Sequence, residues 1–276
     1  MIPVSAKVRE PNEKATAPPR ATNDRNDCVP QQLKPGVSVC IPAYNEAGVI
    51  ADTVTEAAAI LATLPGEHEI VVVDDGSDDD TWETLQDLSS VFPELTAIRH
   101  PYNLCIARAQ QTLVSTAGCQ YTFHIGADRQ WRMAEIPRLL ARLEETESDI
   151  VIGVRRNKPY SPWRKVVSAS FNGLVALLWG KHFGDLGSIK LAKTELWKRI
   201  PFDANSAFVH AQRLLIAYRN GAQIATIPVE HLPRRCGDSK FTSPLQALRA
   251  LGELLKFRFS ARSRRALDPI VNSDAP

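Results

Sequence analysis

The chain has 276 residues, 44% of them hydrophobic, and a formal charge of +2. That length suits one large α/β domain or two small ones, and the near-balanced charge gives no case for a nucleic-acid partner. Five cysteines, Cys28, Cys40, Cys105, Cys119 and Cys236, are scattered without a CxxC pair, which reads as reduced thiols in a cytoplasmic protein, not as a disulfide framework or zinc site. Residues 1–35 mix proline with both charges and hold no apolar run of the signal-peptide kind, so a disordered lead-in is expected there. No stretch reaches the ~20 apolar residues of a membrane-spanning helix; the nearest, VVSASFNGLVALLW at 166–179, is short and broken by Ser, Asn and Gly.

GVSVCIPAYNE reads as a buried strand over 37–41 running into a loop at 42–46. Apolar residues at helical spacing then predict a helix over 47–64, stopped by Pro65-Gly66. EIVVVDDGS is a second buried strand ending in two acids, and DDDTWETLQDLSSVF opens on cap-forming aspartates before turning amphipathic. LTAIRH gives a third strand, 106–116 a third helix and YTFHIG a fourth strand. Continuous β-branched runs alternating with helices predict an α/β, doubly wound, mostly parallel sheet flanked by helices, in a single domain over 36–241.

In such sheets ligands bind beyond the carboxyl ends of the strands, where AYNE, DDGSDDD and GADRQW all fall. Asp78, Asp79 and Asp80 read as a helix cap with solvated charge. Asp74 and Asp75 differ, because they end an apolar strand where an uncompensated acid pair is costly. Asp128 has the same placement, so Asp75 and Asp128 would flank one Mg²⁺ or Mn²⁺ that neutralises a diphosphate. No GxxxxGK[ST] or GxGxxG is present, which argues against a kinase or a dinucleotide enzyme.

VSVCIPAYNEAGVI, IVVVDDGSDDDT and the acid after the fourth strand resemble the family 2 glycosyltransferases of the GT-A fold. DIVIGVRR, PWRKVVSASFNGLVALLWG, DLGSIKL and IPVEHLPRRCGDSKF extend the likeness to the polyprenyl-phosphate glycosyltransferases of the dolichyl-phosphate mannose synthase type. The resemblance covers roughly 36–241 and implies a GDP- or UDP-linked sugar donor, a divalent metal and a polyprenyl phosphate acceptor. It implies that Pro42, Ala43, Tyr44 and Glu46 line the base and ribose, with Asp75, and Asp74 beside it, on the nucleoside. Asp128 would take the metal, Gln130 would lie near the diphosphate, and Arg155, Arg164 and Ser168 would hold the acceptor phosphate. Arg234, Ser239 and Lys240 would close over the diphosphate. Arginine forks suit phosphate oxygens, and Arg164 and Ser168, four apart in a predicted helix, share a face. Taken singly, each Arg also reads as solvated surface charge.

Two departures stand out. Gly126 replaces the first acid of the family's Asp-x-Asp, and HAQRLL, with His210, Gln212 and Arg213, stands where many inverting relatives carry an acid. Transfer to a sugar hydroxyl needs a general base, whereas a phosphate monoester, with a second pKa of about 6, is already anionic. The missing base therefore favours a lipid-phosphate acceptor. A soluble small-molecule acceptor and a catalytically impaired sugar-nucleotide binder remain as alternatives. The tail 242–276 places Leu245, Leu248, Leu251, Leu254 and Leu255 on one helical face, with Lys256, Arg258, Arg262, Arg264 and Arg265 at its end. It reads equally as an interfacial helix on the cytoplasmic face of a membrane and as a helix packed on its own domain.

Overall fold

Four apolar runs form one half of a seven-stranded sheet. β1 (Lys34–Ala43), β2 (Glu69–Asp74), β3 (Leu95–Arg99) and β4 (Cys119–His124) lie parallel in the order β3-β2-β1-β4. The computed structural model describes residues 32–156, 162–201, 208–233 and 244–260, without the side chains of 162–164 and 244–247. Successive residues Cys40 and Ile41, and all of Ile70, Val71, Val72 and Val73, are fully buried, as strands covered on both faces must be. α1 (Ala47–Leu61), α2 (Thr81–Val91) and α3 (Cys105–Thr116) are the connecting helices. α1 ends three residues before the expected position, in a turn over 62–66 ahead of β2.

The second half adds β5 (Ile150–Arg155), β6 (Lys190–Lys193) and β7 (Ile224–Val229), completing the order β3-β2-β1-β4-β6-β5-β7. β6 runs antiparallel to both β4 and β5, while β5 and β7 are parallel. α4 (Glu135–Glu145), α5 (Pro162–Trp179), α6 (Thr194–Arg199), α7 (Val209–Arg219) and α8 (Pro244–Phe259) complete the described elements. From β1 the chain moves outward through β2 to β3, then returns to the other side of β1 as β4. The carboxyl ends of β1 and β4 therefore frame a topological switch point, the place where such sheets hold ligands.

α8 packs on the domain, and its leucines divide between a buried and an exposed side instead of sharing one face. Leu254 and Phe257 are buried in a core shared with α5, α6 and α7, where Phe257 stacks on Trp179 at 6.2 Å and meets Phe208 edge-on at 5.9 Å. Burying two such side chains contributes on the order of 3–6 kcal/mol. Leu248, Leu255 and Phe259 instead face outward, as do Val166 and Leu177 on α5. The Leu245 side chain and Arg262, Arg264 and Arg265 lie outside the described residues. Among the described residues no helix is long and apolar enough to cross a membrane.

Candidate active site

The loop after β1 and the turn after β2 are tied together residue by residue. Asn45, Glu46 and Ala47 donate their backbone N–H groups to Ser77 Oγ (2.9 Å), Thr81 Oγ1 (2.9 Å) and Asp79 Oδ2 (3.1 Å). The N-terminus of α1 is thus capped by the neighbouring turn instead of by a local side chain. Asp79 carries this role: burial pushes its carboxyl up, but bonds from Thr81 and Ala47 outweigh that and hold it below the usual range. Asp80, which the sequence also offered as a cap, makes no side-chain cap bond. Gly76 sits at φ +71, and a Cβ there would lie 2.4 Å from the Tyr102 carbonyl carbon, so only glycine fits this turn.

Asp74 is corrected by its surroundings. It is fully buried, its Oδ1 accepts from Ser77 N (3.0 Å) and Ser77 Oγ (2.5 Å), and Arg99 Nε stands 3.4 Å from its Oδ2. It holds the turn and has no surface to offer a nucleoside. Asp75 is also buried, and its Oδ1 meets His100 Nδ1 at 2.7 Å and Leu104 N at 3.0 Å. His100 in turn contacts Thr112 Oγ1 on α3 at 3.0 Å. One oxygen of Asp75 therefore fastens the β3–α3 loop. A cavity of about 450 Å³ opens beside this turn, lined by Tyr44, Ser77, Asp78, Arg99 and Tyr102 among others. Ala43 is buried, with its carbonyl on Asp75 N (2.8 Å), and Glu46 is half-buried. Neither lines that cavity.

The loop carrying Asp128 is held from three sides. Ala127 O accepts from Thr53 Oγ1 (3.0 Å), Met133 N donates to Glu56 Oε1 (3.0 Å), and Gln130 O accepts from Leu232 N (2.9 Å). Arg129 takes φ +55 and turns away to pair with Asp52 (2.6 Å) and Glu56 (3.2 Å) on α1. A strained residue clamped this firmly fixes the direction of its neighbour. A Cβ on Gly126 would lie 3.3 Å from Asp128 Oδ1, so the Asp128 carboxylate lies over the glycine.

Asp128, Gly126, Gln130, Pro42 and Arg155 line a second cavity of about 230 Å³ at the switch point. The structure brings together here residues from β1, the Asp128 loop and β5 that are far apart in sequence. Arg155 Nε and Nη2 each meet an Asp185 oxygen at 2.5 Å, with both side chains buried. Sequence reasoning missed His124, Ser188, Lys190 and Trp197 in this lining, with His231 beyond β7, and named Arg213 only as standing where an acid was expected. Lys190 and Arg213 are buried, and His210 is half-buried. Burial, with Lys190 and Arg213 nearby, pulls His210 down to about 3; it is neutral at physiological pH. Ser168 is half-buried on α5 and lies outside this lining. The Arg164 side chain and Arg234, Ser239 and Lys240 lie outside the described residues.

Among the described residues no group of three or more acidic, His or Cys side chains is placed to hold a metal. Asp128 and His231, whose ring meets Trp131 edge-on at 4.8 Å, share the cavity and offer one carboxylate and one imidazole. That set fits a Mg²⁺ or Mn²⁺ whose other ligands are diphosphate oxygens and water, since such ions commonly take only one or two protein carboxylates.

The model of glycosyl transferase family 2 matches residues 38–203. The chain belongs to that family. Two curated relatives of this family 2 chain are undecaprenyl-phosphate 4-deoxy-4-formamido-L-arabinose transferases of Klebsiella pneumoniae, 32% and 30% identical over 213 residues. The match covers 75% of this chain and 62% of each relative's length. Among solved structures, glucosyl-3-phosphoglycerate synthase from Mycobacterium tuberculosis bound to Mn²⁺, UDP and glucosyl-3-phosphoglycerate superposes with a TM-score of 0.64 at 19% identity. That match covers 81% of this chain and 80% of the synthase. The same synthase with Mn²⁺, UDP-glucose and phosphoglyceric acid gives 0.66 at 20% identity, again over 81% and 80%. At these identities the structures show the fold: the GT-A arrangement of a mostly parallel sheet flanked by helices.

Proposed function

We propose that this chain is an inverting glycosyltransferase that moves a sugar from a nucleotide-diphospho-sugar to a polyprenyl phosphate at a membrane surface. One observation carries the reading. The cavity beside Asp128 has no carboxylate among its described lining residues except Asp128 itself, and its histidine on α7, His210, is neutral and poorly basic. Basic side chains, Arg155, Lys190 and Arg213, surround the space instead. Such a site has little to deprotonate a hydroxyl and much to hold an acceptor that arrives charged.

The nucleoside would occupy the cavity beside Tyr44, against the loop that Asp75 fastens through His100 and Leu104, and the diphosphate would run toward Asp128 and Gln130. An acceptor phosphate oxygen attacks the anomeric carbon from the face opposite the diphosphate. The new C–O bond forms as the bond to the nucleoside diphosphate breaks, and no proton moves. A divalent cation bound at Asp128 and His231 would supply charge neutralisation for the departing diphosphate. Arg155, fixed by Asp185, would present its guanidinium plane to the reacting groups without needing to reorganise. The outward Leu248, Leu255 and Phe259 of α8, beside Lys256 and Arg258, suit peripheral contact with an anionic membrane. The two curated relatives support this acceptor class by their names.

The test is transfer from uridine and guanosine diphospho-sugars to a short prenyl phosphate, alongside water-soluble sugar acceptors. Product on the prenyl phosphate alone is expected. Product on a sugar hydroxyl alone would replace this reading with a soluble-acceptor enzyme.

A further inference from the structure

We propose that His124, Ser188 and Trp197 form a neutral hydrogen-bonding subsite that reads the hydroxyls of the donor's sugar ring. The subsite rests on the transfer reading, with the Asp128 cavity as the place where the sugar sits.

The three residues come from different parts of the fold. His124 ends β4, Ser188 lies just ahead of β6, and Trp197 is on α6. All three line the cavity and are more than nine-tenths buried. Both ring nitrogens of His124, Ser188 Oγ and Trp197 Nε1 have no hydrogen-bond partner. Buried polar atoms of this kind are rare in native structures and mark the place of a ligand or of water.

Neighbouring contacts hold the cluster in place without answering it. Lys190 stands opposite His124 in the antiparallel β4–β6 pairing. Its Nζ donates to Ser188 O (2.9 Å) and Leu186 O (2.8 Å), which anchors the Ser188 backbone. The Trp197 indole meets the His124 ring edge-to-face at 6.3 Å and carries the Arg213 guanidinium 4.1 Å over its ring. Neither contact is a hydrogen bond to Nε1.

The charge state of His124 selects the ligand's chemistry. Burial, reinforced by Arg213, His210 and Lys190, pulls His124 well below its ordinary pKa, so its imidazole is neutral. A neutral imidazole offers one N–H and one lone pair, a serine hydroxyl donates and accepts, and an indole only donates. Sugar hydroxyls also donate and accept, so neighbouring hydroxyls on one ring can answer the whole set. A bare anion answers only the donors and leaves the imidazole lone pair unmet. The cavity, about 230 Å³, has room for a ring and not only for single waters.

The backbone beyond β4 leads a sugar to this cluster. Gly126 lies midway in sequence between His124 and Asp128. Apart from its chain neighbours, a Cβ on Gly126 would meet only Asp128 atoms within 4 Å, so the chain is otherwise bare there. A sugar whose diphosphate is held at Asp128 would lie along this stretch with its hydroxyls toward His124.

Calorimetry on the full chain with Mn²⁺ tests the subsite, using UDP-glucose, UDP-galactose, UDP-xylose and GDP-mannose against UDP and GDP alone. The readout is the Kd of each sugar nucleotide divided by that of its parent diphosphate. For the sugar nucleotide that the wild type binds best, His124→Phe should raise this ratio about tenfold or more, and Ser188→Ala about threefold or more. UDP and GDP themselves should bind as before. His124→Gln, which keeps a neutral donor and acceptor, should stay within about threefold of the wild type. If His124→Phe fails to fold, Ser188→Ala decides, since it removes only an unanswered hydroxyl. Ratios that do not rise in the folded variants would show that water alone meets these atoms, overturning the subsite and leaving the transfer reading standing. A wild type that binds neither UDP nor GDP would overturn both.

Discussion

Arg155 on β5 and Asp185 in the loop before β6 face each other as a two-pronged ion pair, each contact 2.5 Å long and both side chains buried beside the reaction cavity. An arginine destined for a phosphate would be expected to stand open. Here it is already gripped by a carboxylate, which fixes its plane and cancels its charge. Its contribution to anion binding is therefore directional.

Removing one partner of that pair strands the other in the interior. Asp185→Ala should lower unfolding free energy by about 3–5 kcal/mol, the range for breaking a buried ion pair. Urea denaturation measures it. A loss below about 1 kcal/mol would mean that water or another group takes up the Arg155 charge.

Asp75 makes a sharper prediction than its place in the sequence suggested. An acid at a strand end looks removable without damage to the core, yet its Oδ1 meets His100 and Leu104 N. Asp75→Ala should therefore cost about 1–3 kcal/mol through groups left unsatisfied and weaken nucleoside diphosphate binding as well. Asp75→Asn, which keeps an accepting oxygen, should recover most of the stability. Equal melting temperatures for all three proteins would show that the loop does not depend on this contact.

Gly126→Asp restores the first acid of the Asp-x-Asp motif. The new Cβ would stand 3.3 Å from Asp128 Oδ1, so the two carboxylates repel in the free protein and a divalent cation relieves them. Mn²⁺ titration without nucleotide should show tighter binding in this variant than in the wild type, whose affinity should rise only when nucleoside diphosphate is present. Tight Mn²⁺ binding by the nucleotide-free wild type would remove the need for diphosphate ligands.

The two faces of α8 separate by mutation. Leu254→Ala should destabilise by about 2–5 kcal/mol as a buried leucine truncation. Replacing Leu248, Leu255 and Phe259 by Ser should leave stability within about 0.5 kcal/mol per site while reducing sedimentation with anionic liposomes. Undiminished liposome binding by the triple variant would assign membrane contact elsewhere.

The first half of the fold was legible because its strands are unbroken β-branched runs stopped by Pro, Gly and Asp, and because buried parallel strands need little else. Asp128 was legible from its place four residues beyond the end of β4. β6 was not, since KLAK is four residues long and carries no period. Lys190 gains its meaning only from the antiparallel neighbour that sets it opposite His124. Asp185 stood inside the quoted DLGSIKL, but nothing in the sequence links it to an arginine thirty positions earlier. HAQRLL read as a missing base; that Arg213 lies over Trp197 required the packing of α7 against α6. Asp74 and Asp75 looked alike side by side, and only their partners, Ser77 and Arg99 for one and His100 and Leu104 for the other, separated them.

The central claim is that sugar passes to a charged acceptor in the cavity governed by Asp128. Its most direct test is transfer of radiolabelled sugar from uridine and guanosine diphospho-sugars to a short prenyl phosphate, by wild type and by Asp128→Asn of equal melting temperature. The account predicts lipid-linked label that requires Mg²⁺ or Mn²⁺ and falls at least a hundredfold in the variant. Undiminished transfer by Asp128→Asn, or full transfer in chelator, would contradict it.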